Sequence, residues 1–130
     1  MDLGEYNQIK GKKISENLVE NRLVEGIKNL GGKCWKFVSP GMVGVPDRIV
    51  LMPGGQLWFV ELKAPGKYPK RHQTARHDEL RYLGFRCFVF SDYWDVDKFL
   101  TFLDGIGYKP KPKKGPFKKT KLDLDGTDIN

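Results

Sequence analysis

Asp47, Glu61 and Lys63 carry charge where charge is costly. They lie in GVPDRIVLMPGGQLWFVELK, residues 44–63, whose runs RIVLM and QLWFVELK read as apolar strands joined by a Pro53-Gly54-Gly55 turn. Alternate side chains of a strand share a face, so Glu61 and Lys63 point one way and Trp58, Val60 and Leu62 the other. A hairpin that sets the start of the first strand beside the end of the second places Asp47 next to Glu61. Neighbouring carboxylates resist ionising together unless a cation sits between them. A divalent metal with oxygen ligands answers this, and Mg²⁺ suits carboxylates that leave positions to water and phosphate. Each motif alone has a plainer reading: E-x-K as a solvated ion pair on an edge strand, Pro-Asp as the start of a turn.

Further residues point the same way. Glu20 falls on the apolar stripe of a helical pattern, one turn before Leu23 and Val24, so its carboxylate is expected to face the sheet. A lone buried carboxylate needs a cation or hydrogen bonds. Gln73 precedes Leu80 by two helical turns, which turns its amide to the core face of a second helix; it also reads as a boundary residue near that helix start. Ser39-Pro40-Gly41 and Gly44 form a tight loop just before Asp47, suited to close backbone approach.

The elements that must position these groups follow from periodicity. Ser15 caps an amphipathic helix through Leu30, with Val19, Leu23, Val24, Ile27 and Leu30 on one stripe and Gly31-Gly32 as its stop. CWKFVS reads as a strand, followed by the two strands of the hairpin. A helix starting near Pro69 runs to about Leu83, FRCFVFS is a further strand, and a short helix covers Asp95 to Leu103. The order αβββαβα, with antiparallel neighbours early and a crossover later, predicts an α/β fold with a central mixed sheet flanked by helices.

Length and composition permit one site. The chain has 130 residues, 39% apolar and 30% charged, which fits a single globular domain over residues 14–108 between a polar leader, 1–13, and a Lys-rich tail, 109–130. The tail cannot bury enough apolar surface to fold alone. The net charge is +7, of which the tail's seven Lys and three Asp supply +4. This favours a polyanion partner, or a solubilising tail. No long apolar stretch and no secretory leader is evident, so a soluble protein of the cytoplasm, with no membrane partner, is expected. Cys34 and Cys87 read as reduced, buried small hydrophobes, and with His72 and His77 they do not make a zinc site.

Taken in order, the Gly31-Gly32 stop, the SPG-x-x-G-x-PDR loop, the ELK strand and the helix-borne Gln73 resemble the VRR-NUC domain. This is the virus-type replication-repair nuclease branch of the PD-(D/E)xK superfamily, in its small standalone phage and bacterial form. The likeness covers roughly residues 16 to 104. It implies a restriction-endonuclease-like core and metal-dependent cleavage of DNA, with selectivity for branched structures such as junctions or flaps, in phage or bacterial replication, recombination or repair. Asp47, Glu61 and Lys63 match the family's PD…ExK residues, Glu20 its helix-one Glu and Gln73 its second-helix Gln. A homodimer and, for a phage gene, the host cytoplasm are implied likewise.

On this resemblance Asp47, Glu61 and the Leu62 carbonyl are expected to hold Mg²⁺, with Mn²⁺ as a substitute, and Glu20 to complete the shell or help bind a second ion. Lys63 is expected to orient or activate water, and Gln73 to position Lys63 or that water. Arg48, Lys67, Lys70, Arg71 and Arg76 are the candidate DNA contacts, with the tail as a non-specific clamp. His72 and His77 read as surface histidines near DNA rather than ligands or bases, and Trp35, Trp58 and Trp94 as core or rim aromatics. The rival class is a catalytically silent nucleic-acid-binding module of the same fold, which a broken cluster would favour. A protein-interaction adaptor is weaker still, since seven tail lysines are not its signature.

Overall fold

The computed structural model describes residues 13–106. The tail, 109–130, and nearly all of the leader fall outside these. Helix α1 spans Glu16–Asn29, strands β1, β2 and β3 span Lys33–Lys36, Arg48–Met52 and Gln56–Leu62, helix α2 spans Arg71–Tyr82, strand β4 spans Arg86–Phe90, and helix α3 spans Tyr93–Gly105. The sheet order is β1-β2-β3-β4, antiparallel over the first three strands and parallel between β3 and β4. A parallel pair needs a crossover, and α2 supplies it.

Val19, Leu23 and Ile27 of α1 and Val96, Phe99 and Leu103 of α3 bury one face of the sheet, together with Val50, Met52, Trp58, Val60, Leu62 and Phe90. Removing each of these apolar side chains from water contributes roughly 1.5–3 kcal/mol, enough for the domain to carry a costly polar site on its other face. Gly26 lets α1 approach α3 closely, since a Cβ there would collide with Leu100. The opposite face of the sheet receives α2, a largely polar helix whose buried residue is His77.

Caps explain the element ends. Ser15 accepts from the Leu18 amide at the start of α1, and Asp92 accepts from the Asp95 amide at 2.8 Å, which starts α3 two residues before the expected Asp95. The first strand ends at Lys36 rather than running to Ser39, because one further bond, Phe37 N–H to the Asp47 carbonyl at 2.8 Å, is the last before the chain turns. Pro69 does not open the second helix; Lys70 caps it and Arg71 is its first residue.

Candidate active site

Strand β3 is central, and register explains how it carries a buried carboxylate. Arg48 pairs with Val60, which sets Asp47 opposite Glu61 one step further along the hairpin. Val60 faces the α1–α3 core, so Glu61 is turned to the α2 side. It is 1% exposed, which excludes the solvated edge-strand reading of the E-x-K pair.

The Glu61 carboxylate meets two groups at one oxygen and one at the other. Its Oε2 accepts from Gln73 Nε2 at 3.0 Å and lies 3.3 Å from Lys63 Nζ. Its Oε1 lies 3.9 Å from His77 Nε2, and neither of these two buried atoms has a hydrogen-bond partner. Burial, followed by the negative charge of Asp47, pushes the Glu61 carboxyl up to about 7; the Lys63 ammonium opposes this, and Glu16 at the start of α1 adds to it. His77 is held below the usual imidazole range, first by burial and then by the Arg81 charge.

Each remaining group is fixed by backbone. Asp47 Oδ2 accepts from the Leu62 amide at 2.9 Å, and Lys63 N–H donates to the Phe90 carbonyl at 2.9 Å. Gln73 Oε1 accepts from the Lys70 amide at 2.8 Å, which satisfies a free donor at the start of α2 and aims the other end of the amide at Glu61. The loop before Asp47 is seated on α2: Gly44 has φ +92°, and a Cβ there would lie 2.5 Å from the His72 carbonyl oxygen. Only glycine satisfies both conditions.

Thus Asp47, Glu61, Lys63 and Gln73 are brought together, and Glu20 is not. Glu20 does face the sheet, but on the α1 side, where Arg48 Nε donates to its Oε2 at 3.0 Å and Lys36 Nζ lies 4.0 Å away. Arg48 also donates to the Cys34 carbonyl at 3.1 Å and is only 16% exposed, so it is a buried support for Glu20 rather than a surface cation. Arg76 is drawn into an ion pair with Glu79 and a contact with Met42. Lys67, Lys70 and Arg71 are exposed as expected.

The surface reading of His77 is corrected: it is 1% exposed and packs against Glu61, whereas His72 is exposed. The signal was present in its spacing, since residue 77 lies one turn beyond Gln73 on the face already assigned to the core. Both cysteines are free, Cys87 buried and Cys34 partly so.

Among the described residues no three His, Cys, Asp or Glu side chains already surround a common point as a metal site. The donor set nevertheless fits a hard divalent ion. Glu61 presents a buried carboxylate oxygen without a hydrogen-bond donor, beside the like charge of Asp47, and carboxylate with carbonyl oxygen is Mg²⁺ or Mn²⁺ chemistry rather than zinc chemistry.

Comparison with known proteins agrees with this geometry. No family model matches the chain. A solved structure described as a VRR_NUC domain superposes with a TM-score of 0.63 at 34% sequence identity, over 66% of this chain and 94% of that one. The chain belongs to the VRR-NUC nuclease family. A second relative, "Putative nuclease p44" of Acyrthosiphon pisum secondary endosymbiont phage 1, is 46% identical over 76 residues, 58% of this chain and 82% of the phage protein. The VRR-NUC assignment accounts for the α/β architecture and makes the protein a nuclease. Among its described residues no helix is long and apolar enough to cross a membrane.

Proposed function

We propose that this VRR-NUC protein is a metal-dependent endonuclease that hydrolyses DNA phosphodiester bonds at branched structures, junctions or flaps, during phage or bacterial replication, recombination or repair. The observation that carries the reading is Glu61: a carboxylate in the central strand, 1% exposed, 3.3 Å from the Lys63 ammonium and opposite Asp47 in the hairpin register. A structural ion pair has no need of a second carboxylate beside it, whereas a divalent cation that meets a phosphate does.

Asp47, Glu61 and the Leu62 carbonyl would hold the ion. When bound, Mg²⁺ or Mn²⁺ supplies charge neutralisation at the scissile phosphate and acidifies water. Lys63 Nζ orients the attacking water in line with the leaving oxygen and places positive charge against the phosphate. Gln73 Nε2 holds Glu61 Oε2 in place. Glu20, held by Arg48 on the other side of the sheet, steadies the start of β2 next to Asp47 rather than completing the shell. Exposed Lys67, Lys70 and Arg71 contact DNA phosphates, and the seven lysines of residues 109–130 add a non-specific clamp. The protein works as a homodimer in the cytoplasm, that of the host if phage-encoded.

The test is cleavage of labelled duplex, single strand, 5′ flap, 3′ flap and four-way junction with Mg²⁺, Mn²⁺ or EDTA. Metal-dependent cutting of a branched substrate, lost in Lys63→Ala, is the expected result. Binding without cutting under either metal would overturn the reading in favour of a silent DNA-binding module.

A further inference from the structure

We propose that His77 is a positioning residue for Glu61: its Nε2–H closes onto Glu61 Oε1 when the carboxylate holds the metal. The inference rests on the reading of Glu61 as a metal ligand. Its starting point is a helix with an unusual interior. Helix α2 is polar along most of its length, yet its buried position holds an imidazole rather than a leucine or valine. An apolar side chain would fill that place without leaving a polar atom unpaired, and unpaired buried polar atoms are uncommon because each costs about 1–3 kcal/mol.

Here two such atoms face each other. Glu61 Oε1 and His77 Nε2 are both buried, both lack a hydrogen bond, and lie 3.9 Å apart. A movement of about 1 Å brings them to hydrogen-bond distance. The other oxygen, Oε2, is already held by Gln73 and Lys63, so the carboxylate plane can pivot toward His77 while Oε2 stays engaged. Gln73 and His77, one helical turn apart, then hold the two oxygens from the same face of α2, and the carboxylate has a single orientation in which to meet a cation. The imidazole stays neutral throughout, a donor at Nε2, with no proton gained or lost. Metal-ligand orientation by such supporting hydrogen bonds typically governs affinity 10–100-fold.

The experiment is an MgCl₂ titration, without DNA, of wild type, His77→Phe, His77→Gln and Glu61→Gln. It is followed by the backbone amide resonances of Leu62 and Lys63 and by the imidazole ¹⁵N resonances of His77. Phe keeps the bulk and removes the donor; Gln restores an N–H near the Nε2 position. Expected are a Mg²⁺ affinity at least 10-fold weaker in His77→Phe, recovery to within about threefold in His77→Gln, and in wild type a protonated Nε2 whose resonance moves on Mg²⁺ saturation. Equal affinity in His77→Phe and wild type would overturn the role, as would a His77 proton on Nδ1 or an Nε2 resonance indifferent to Mg²⁺. The wild-type resonance decides the matter even if His77→Phe does not fold. If wild type and Glu61→Gln are alike in binding no Mg²⁺, the metal site itself fails and the inference with it; if wild type binds and only the His77 effects are missing, the inference alone fails.

Discussion

Glu20 and Glu61 stand on opposite faces of one sheet: Glu20 is held at 3.0 Å by Arg48 on the α1 side, while Glu61 is held at 3.0 Å by Gln73 on the α2 side. The hairpin register enforces the division, because Arg48 pairs with Val60, the residue before Glu61. Two carboxylates that a linear reading groups together are therefore stabilised by different partners and respond to different substitutions.

Arg48→Ala should act on stability first. It leaves the half-buried Glu20 carboxylate and the Cys34 carbonyl without their guanidinium, a loss of about 2–4 kcal/mol by comparison with broken buried pairs. Urea unfolding should show this loss, and Glu20→Gln in the same background should recover part of it. If Arg48→Ala unfolds like wild type and only weakens DNA binding, the side chain is a surface contact after all.

Glu61 should make the metal-free protein less stable as pH rises. Its carboxyl titrates near 7 in the fold against 4.5 for an ordinary Glu, so its stabilising contribution is complete below about 4.5 and lost as pH passes 7. The loss is about 3 kcal/mol at most. His77, shifted downward, works in the other sense, favouring the fold above its ordinary value of 6.5 and weakening it as pH falls. The difference between wild type and Glu61→Gln isolates the carboxyl: in EDTA the variant should be the more stable at pH 8, with the gap closing by pH 5. A gap independent of pH would contradict the assignment.

Lys63→Ala and Asp47→Ala should each lower the cleavage rate on the order of 10²–10³-fold, the usual cost of removing one charge-stabilising group. Asp47→Ala also frees the Leu62 amide, at about 1 kcal/mol, against the relief of repulsion at Glu61, so its melting temperature should change little. Single-turnover cleavage at saturating enzyme, with thermal melts alongside, separates the two effects. Undiminished cleavage in either variant would remove that residue from the chemistry.

Gly44→Ala should disturb the site from a distance. A side chain at φ +92°, with its Cβ 2.5 Å from the His72 carbonyl oxygen, must push the loop off α2 and carry Asp47 with it. A stability loss of about 1–3 kcal/mol is expected from the backbone strain, accompanied by a shifted Leu62 amide resonance. An unchanged Leu62 signal would mean that the loop and Asp47 move independently.

The hairpin, the amphipathic first helix and the crossover were legible because each has an apolar pattern or a turn signal: RIVLM and QLWFVELK are apolar runs joined by Pro53-Gly54-Gly55, and Val19, Leu23 and Ile27 repeat at helical spacing. Asp47, Glu61 and Lys63 were legible as a group since register follows from the hairpin. The role of Arg48 was not, because a basic residue next to Asp47 looks the same in sequence whether it meets DNA or a carboxylate from a helix 28 positions away. His77 was missed although its spacing from Gln73 marks the same helix face, because imidazole is as much at home in water as in a polar interior.

Gln73 joins the start of α2 to Glu61 through a single planar amide, its oxygen on the Lys70 N–H and its nitrogen on the carboxylate. Whenever the first turn of that helix frays, the carboxylate loses its tether in the same event. The fraction of molecules in which Gln73 holds Glu61 is thus set by a local opening equilibrium, and the exchange rate of the Lys70 amide proton reads it directly.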